Sequence, residues 1–305
     1  MASRHSKQQQ QKVNPVLLAT SAAVALVVVM VVVVISLVGG GGQGQEEESS
    51  GTGVPEGMVL VNDLYEGQRL VPDFDMDLNQ YDTEKFVEEN GFIRYQDGKA
   101  VAGVDVSEHQ GTIDWQQVKD AGFEYAILRV AYRGMTEGGL NVDSTFEQNY
   151  QGATAAGLKV GVYFFSQAIT QKEAQEEAKY VLDALNDREL TYPVVFDWEP
   201  PIPSETLPAE DLRAYDMDGE VITAMANAFC KEIEKNGYQA CVYTNKHMAY
   251  YTFDLEALQE YPIWYAEYQP APSLYYDFRI WQYSASGTVP GISGSVDLNL
   301  CFEPY

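Results

Sequence analysis

The sequence predicts an α/β fold, an irregular (β/α)5(β)3 barrel of TIM type preceded by a single N-terminal transmembrane helix. Three observations carry this: an uncharged apolar run over 16–38, an alternation of apolar strands with Gly-closed helices from Ala100 onward, and three closing strands with little room for helices between them. Composition agrees with a packed domain, since 46% hydrophobic residues, 21 Tyr and 4 Trp among 305 exceed what a disordered chain carries. Charge excludes another class. With 19 Lys and Arg against 45 Asp and Glu, the formal charge is −26, and nucleic-acid backbones are held by clustered Lys and Arg. No nucleic-acid partner is expected.

The run over 16–38 suits a membrane span, because about 20 residues rising 1.5 Å each cross the hydrocarbon layer. A cleaved secretory signal has an apolar region of about 7–15 residues and a small-residue cleavage site. This run is longer and ends in Gly39 to Gly42. Arg4, Lys7 and Lys12 precede it and Glu46, Glu47 and Glu48 follow, so the positive-inside bias makes residues 1–15 a cytoplasmic tail and places the rest outside the cell membrane. The outer part keeps 16 basic residues against 45 acidic ones, a net −29 that favours solubility. Residues 39–99 divide into a Gly/Glu/Ser tether to about Val54 and an acidic stretch with a short helix predicted over 83–90, closed by Gly91. No chemistry is assigned to that stretch.

The barrel domain spans residues 100–305. Ala121-Gly122, Ala156-Gly157 and Asn236-Gly237 each close a helix before an apolar strand. Ser144-x-x-Glu147 and Thr170-x-x-Glu173 read as capping boxes, and Asp114 as the N-cap of the helix at Trp115. Strands are predicted at about 101–106, 125–132, 159–166, 192–198 and 239–244, each with a helix or helix-length segment behind it, then at about 262–268, 278–283 and 295–300. This alternation argues for a parallel sheet. A doubly wound open sheet is the rival, but no Gly-rich phosphate fingerprint follows the first strand. Cys230, Cys241 and Cys301 read as buried free thiols in preference to a Cys230–Cys241 bridge. Cys/His metal-ligand spacing is missing, so neither metal nor organic cofactor is expected, and with no interface pattern a monomer is.

Active sites of parallel barrels lie at the C-terminal ends of the strands. There the first strand ends in Asp105 and Ser107 on one face. The fourth, PVVFDWEP, sets Asp197 and Glu199 two residues apart on one face, about 6.6 Å along the backbone, with Phe196 and Trp198 on the other. Two carboxylates sharing a pocket raise one pKa and leave an acid beside an ionised partner. The bland alternative is two solvated acids at a strand end. Asp297, a lone carboxylate in SVDLNL on the last strand, should sit near Asp105, because the last strand of a closed barrel borders the first. Tyr163, Phe165, Tyr243, Trp264 and Gln282, with Asn245, Tyr265, Trp281 and Tyr283, would complete an aromatic and amide rim of the kind that holds sugars, although any one aromatic taken alone is more readily core than rim.

Taken together, GVDVSEHQGTIDW, VGVYFFSQAIT, VVFDWEP, IWQYS and VDLN resemble the glycoside hydrolase family 25 lysozymes, the Chalaropsis-type muramidases, especially their membrane-anchored clostridial-like group. The resemblance covers roughly residues 100–305. It implies Glu199 as the general acid on the glycosidic oxygen, Asp197 as the partner stabilising charge on the sugar's far side, and Asp105 with Asp297 as an acidic floor. It implies the β-1,4 bond from N-acetylmuramic acid to N-acetylglucosamine in peptidoglycan as substrate. Both a covalent intermediate and assistance by the sugar's own acetamido group, oriented by Asp197, are compatible with these residue types. One departure stands out: many members carry a Lys-Ala-Thr-Glu-Gly-like segment after the second strand, where this chain has Arg129 to Gly134. A glycan-binding barrel without catalysis and a hydrolase of another N-acetylated glycan are the alternatives. Retention of both Asp197 and Glu199 argues against the first, since mutual repulsion is useless to a binder.

Overall fold

The computed structural model describes residues 53–305. The predicted cytoplasmic tail 1–15, the span 16–38 and the tether up to residue 52 lie outside the described residues. Among the described residues, no helix is long and apolar enough to cross a membrane.

Two hairpins come first. β1 (Met58–Asp63) pairs with β2 (Gly67–Pro72), and β3 (Phe86–Glu89) with β4 (Phe92–Tyr95). The helix expected over 83–90 is not formed. A single 3-10 turn at Thr83–Lys85 leads directly into β3. The reason is the Asn90-Gly91 pair, whose φ values of 56° and 82° make the tight two-residue turn that hairpins prefer. Phe86 then packs edge-on against Trp281 at 5.2 Å. The segment before residue 280 ties this region down, through Tyr276 donating to Pro72 O of β2 at 2.6 Å and Tyr81, between the hairpins, donating to Phe278 O at 2.7 Å.

The barrel follows in chain order: β5 (Val101–Val106), α1 (Trp115–Asp120), β6 (Tyr125–Arg133), a short β7 (Leu140–Val142), α2 (Phe146–Ala155), β8 (Lys159–Ser166), α3 (Gln171–Leu185), β9 (Val194–Trp198), α4 (Gly219–Lys235), β10 (Ala240–Asn245), α5 (Lys246–Tyr251), β11 (Ile263–Ala266), β12 (Ile280–Gly287) and β13 (Val296–Cys301). Eight of these strands close in the order β5-β13-β12-β11-β10-β9-β8-β6, with β5 pairing β6. Five βα units and three bare strands result, as predicted. The strands pair in parallel except for β13, which runs antiparallel to both β12 and β5, and the appended β7. The expected all-parallel sheet therefore fails at its last strand, because only the short 288–295 loop links β12 to β13 and a parallel return needs a crossover of a dozen residues or more.

Inside the barrel, Tyr125 and Tyr192 stack at 4.2 Å among Ile127, Val195, Cys241, Trp264 and Ile280. This closes the end away from the site. A Cβ at Gly103 would lie 2.2 Å from the Tyr125 ring, so only glycine fits opposite it. Outside, apolar positions of α3 (Ala174, Ala178, Val181, Leu185) and α4 (Ile222, Met225, Ala226, Phe229) recur at helical spacing and face the barrel wall. Gly122, Gly157 and Gly237 all take positive φ after their helices, as expected. All three cysteines are buried free thiols.

The caps hold in part. Asp114 accepts from Gln117 N at 3.2 Å, and Thr170 from Glu173 N at 3.2 Å, while the Glu173 carboxylate turns to Ile169 N. The Ser144 box is not formed: α2 is preceded by Thr145, and the Ser144 hydroxyl donates to Glu108 at 2.7 Å. Arg129 accounts for this, since it gathers Glu108 and Asp143 at the mouth of the barrel and the acids capture the nearby hydroxyls.

Candidate active site

Strand alternation aims Asp105, Asp197 and Gln282 into the C-terminal mouth, with Glu199 one step past the end of β9. Asp297 reaches the same mouth for a different reason. It is the second residue of β13 and pairs with Asp105, the fifth of β5. Only the antiparallel direction of β13 brings them level; a parallel last strand would carry an early residue to the opposite end.

Asp105 is 4% exposed, and its Oδ2 accepts from Asn299 Nδ2 at 2.7 Å and Gln282 Nε2 at 3.0 Å. The Trp264 indole donates to Asn299 Oδ1 at 2.8 Å, orienting that amide. Gln282 in turn accepts from Tyr268 at 2.9 Å and Tyr243 at 3.5 Å. Asp197 is 6% exposed and its Oδ1 has no hydrogen-bond partner. Glu199 is held through its backbone, whose carbonyl accepts from Gln167 Nε2 at 2.8 Å. Arg213 fixes the Gln167 carbonyl at 2.9 Å, and the Ser166 hydroxyl donates to buried Glu177, which is also paired with Arg133.

Burial pushes the carboxyls of all four acids above the ordinary carboxylate range; neighbouring charges add to it at Asp105, Asp197 and Glu199, whereas at Asp297 the hydrogen bond with Asp105 opposes it. Asp105 is raised further by Asp297. Asp197 is raised by Glu199 and Asp105, with Arg129 pulling the other way. After burial, the charge that raises Glu199 is Asp297. Four acids this close cannot all ionise, so protons are retained at the site. Arg129 answers the cluster while bound to Asp143 at 2.8 Å and Glu108 at 3.1 Å.

The other predicted residues divide. Tyr163 and Phe165 are half-buried on the inner face of β8, with Phe165 in register with Asp197. Tyr243 faces inward and packs edge-on against Trp264 at 5.1 Å. Trp264 itself is 1% exposed, under the amides rather than at the rim. Tyr265, Trp281 and Tyr283 point outward into the shell around the barrel. Ser107 closes the 3-10 turn after β5 with Gln110. The sequence reading passed over Asn299, Arg129, Gln167 and Tyr268. Asn299 shares the alternation of Asp297, and Arg129 that of Ile127, so both were within reach; Gln167 and Tyr268 sit past strand ends, where alternation carries no information. A cavity of about 420 Å³ beside Arg188, Leu190 and Tyr238 lies at the other end of the barrel and holds none of these residues.

A closed barrel with paired acids held partly protonated at its C-terminal mouth has the equipment for acid-catalysed glycoside cleavage. The chain belongs to glycosyl hydrolases family 25, whose model matches residues 104–292. It is 30% identical over 199 residues to the autolytic lysozyme of Clostridium acetobutylicum, covering 65% of this chain and 54% of that one, so it spans about half the length of that relative. A bacterial lysozyme structure from Streptomyces coelicolor is 28% identical over 67% of this chain and 92% of its own, with a TM-score of 0.52. The modular autolysin LytC from Streptococcus pneumoniae, solved with a synthetic peptidoglycan ligand, shares the fold at 21% identity and a TM-score of 0.59, covering 81% of this chain and 57% of that one.

Proposed function

We propose that this chain is a muramidase that hydrolyses the β-1,4 bond from N-acetylmuramic acid to N-acetylglucosamine in peptidoglycan, acting as a monomer. The observation that carries the chemistry is the placement of Glu199 and Asp197 on one inward face, with Glu199 raised by burial and by Asp297, and so able to hold a proton. Glu199 donates that proton to the glycosidic oxygen as the bond to C1 breaks. The buried, unpartnered Oδ1 of Asp197 suits the N–H of a 2-acetamido group. Aligned in this way, the acetamido oxygen attacks C1, and Glu199 then removes a proton from the water that opens the cyclic intermediate. The peptidoglycan ligand of LytC and the lysozyme relatives support the substrate class.

The membrane-facing half of the reading rests on sequence. The apolar run over 16–38 anchors the chain in the cell membrane with residues 1–15 cytoplasmic and the barrel outside. Removing residues 1–52 should move the protein from the membrane to the soluble fraction; retention in the membrane refutes the anchor. The enzymatic reading is tested by reducing ends released from purified peptidoglycan. New muramic-acid ends from the full chain, reduced about 10²–10⁴-fold in Glu199→Gln, are expected. Glycan binding without release, unchanged by that substitution, would make the barrel a binding module.

A further inference from the structure

β12 separates two spaces. Its Gln282 points inward to Asp105, while Trp281 and Tyr283 point outward and are covered by the β3–β4 hairpin. Between that hairpin and residues 268–270 lies a groove of about 330 Å³. Phe86, Val87 and Ile93 line one side, and Tyr268, Gln269 and Pro270 the other. Tyr268 belongs to both spaces. Its side chain is largely exposed at 55%, and its hydroxyl donates to Gln282 at 2.9 Å. The path from Asp105 to the groove thus passes through Gln282 and over one tyrosine ring.

We propose that this groove is a remote subsite for the glycan strand, taking one uncharged pyranose ring after the chain has crossed Tyr268; this rests on the muramidase reading above. Three observations select that occupant. The groove and the catalytic mouth share Tyr268, which lines the one and donates to Gln282 in the other, so a strand running from Glu199 over that ring reaches the groove without a second binding event. Its lining of aromatic and aliphatic side chains with a polar edge suits the C–H face of a sugar ring. Its volume is at the low end for ligand sites, which fits one ring rather than a longer stretch. Glu88 is the only charged group lining it, which disfavours an anionic occupant such as an acidic peptide. The hairpin precedes the family-matched residues 104–292, so this wall is a feature of the chain outside that match. The Asn90-Gly91 turn and the Phe86–Trp281 contact set the groove before any ligand arrives.

Val87→Trp on one wall and Gln269→Trp on the other fill the groove without touching the acids. The full chain is assayed on peptide-free glycan fragments of one to four disaccharides. For the longest fragments each variant should raise KM about 3–10-fold at unchanged kcat, while the shortest are cut as before. In parallel, the affinity of the four-disaccharide fragment is measured in Glu199→Gln with and without Val87→Trp, where the same loss is expected. Equal effects on all lengths, or none, overturn the subsite and leave the muramidase reading intact. Affinity lost only for peptide-bearing fragments overturns its assignment to the sugar. If the unaltered chain cuts no fragment, the muramidase reading fails, and the binding comparison still decides the groove.

Discussion

Replacing Asn299 by Leu tests whether a buried amide, rather than packing alone, holds the acidic floor. Leu keeps the branched outline, so no large cavity opens. Asn299 is fully buried, accepts the Trp264 indole N–H at 2.8 Å and donates to Asp105 at 2.7 Å. The variant leaves the indole without an acceptor, at roughly 1–3 kcal/mol, and removes a charge-assisted bond worth about 1.5–3 kcal/mol. Gln282 keeps its 3.0 Å bond, so Asp105 is not stranded. The expected loss is about 2.5–6 kcal/mol, a large part of the 5–15 kcal/mol typical of a domain. The loss also depends on pH. Burial first, then Asp297, raises the Asp105 carboxyl, and the Asn299 bond opposes them. Without that bond the folded-state pKa rises further. A raised carboxyl keeps a proton that the unfolded chain has released, so its contribution falls as pH climbs through and above the unfolded value. The deficit should be smaller near pH 4 than near pH 8 in urea unfolding at both. A loss below about 1 kcal/mol, or a larger deficit at acid pH, refutes the reasoning.

Asp297→Asn removes the charge that, after burial, raises Glu199, so the alkaline limb of kcat/KM should move to lower pH; a limb that stays or moves up contradicts this assignment. Glu177 is fully buried, 2.6 Å from both Arg133 and Ser166, and Glu177→Leu should cost about 3–5 kcal/mol by leaving buried Arg133 with only the half-exposed Glu176 at 3.9 Å as a carboxylate partner, with Arg133→Met/Glu177→Leu recovering most of it in thermal melts. Burial lifts the Glu177 carboxyl from 4.5 to about 7. Its contribution is therefore complete below about pH 4.5 and declines by about 3 kcal/mol as pH rises to 7, a slope the double variant should lack.

Local rules placed most of the barrel. Period-two alternation put Asp105 on one face with Ser107 and Asp197 on one face with Glu199, and the Gly-closed helices set the strand count, because both signals are written within a few residues. Where a local signal competed with a stronger one, the reading failed. The 83–90 stretch has helix-forming residues, but Asn90-Gly91 makes a hairpin that pairs Phe86 with the Trp281 face. Ser144 and Glu147 have capping-box spacing, but Arg129 draws acids from two loops that compete for the same hydroxyls.

The sequence by itself determined that Asp197 and Glu199 share one face two residues apart and that Asp105 stands at the end of the first barrel strand, since backbone geometry alone dictates alternation. Tertiary structure decided the rest. The antiparallel run of β13 sets Asp297 level with Asp105 and admits Asn299 beneath them. Loop conformation past β11 turns Tyr268 back over Gln282, and the β3–β4 hairpin, which carries no chemical signature of its own, becomes one wall of the groove that Tyr268 also lines. These depend on contacts between residues far apart in the chain, such as Asp105 with Asn299, 194 positions away, which no local pattern encodes.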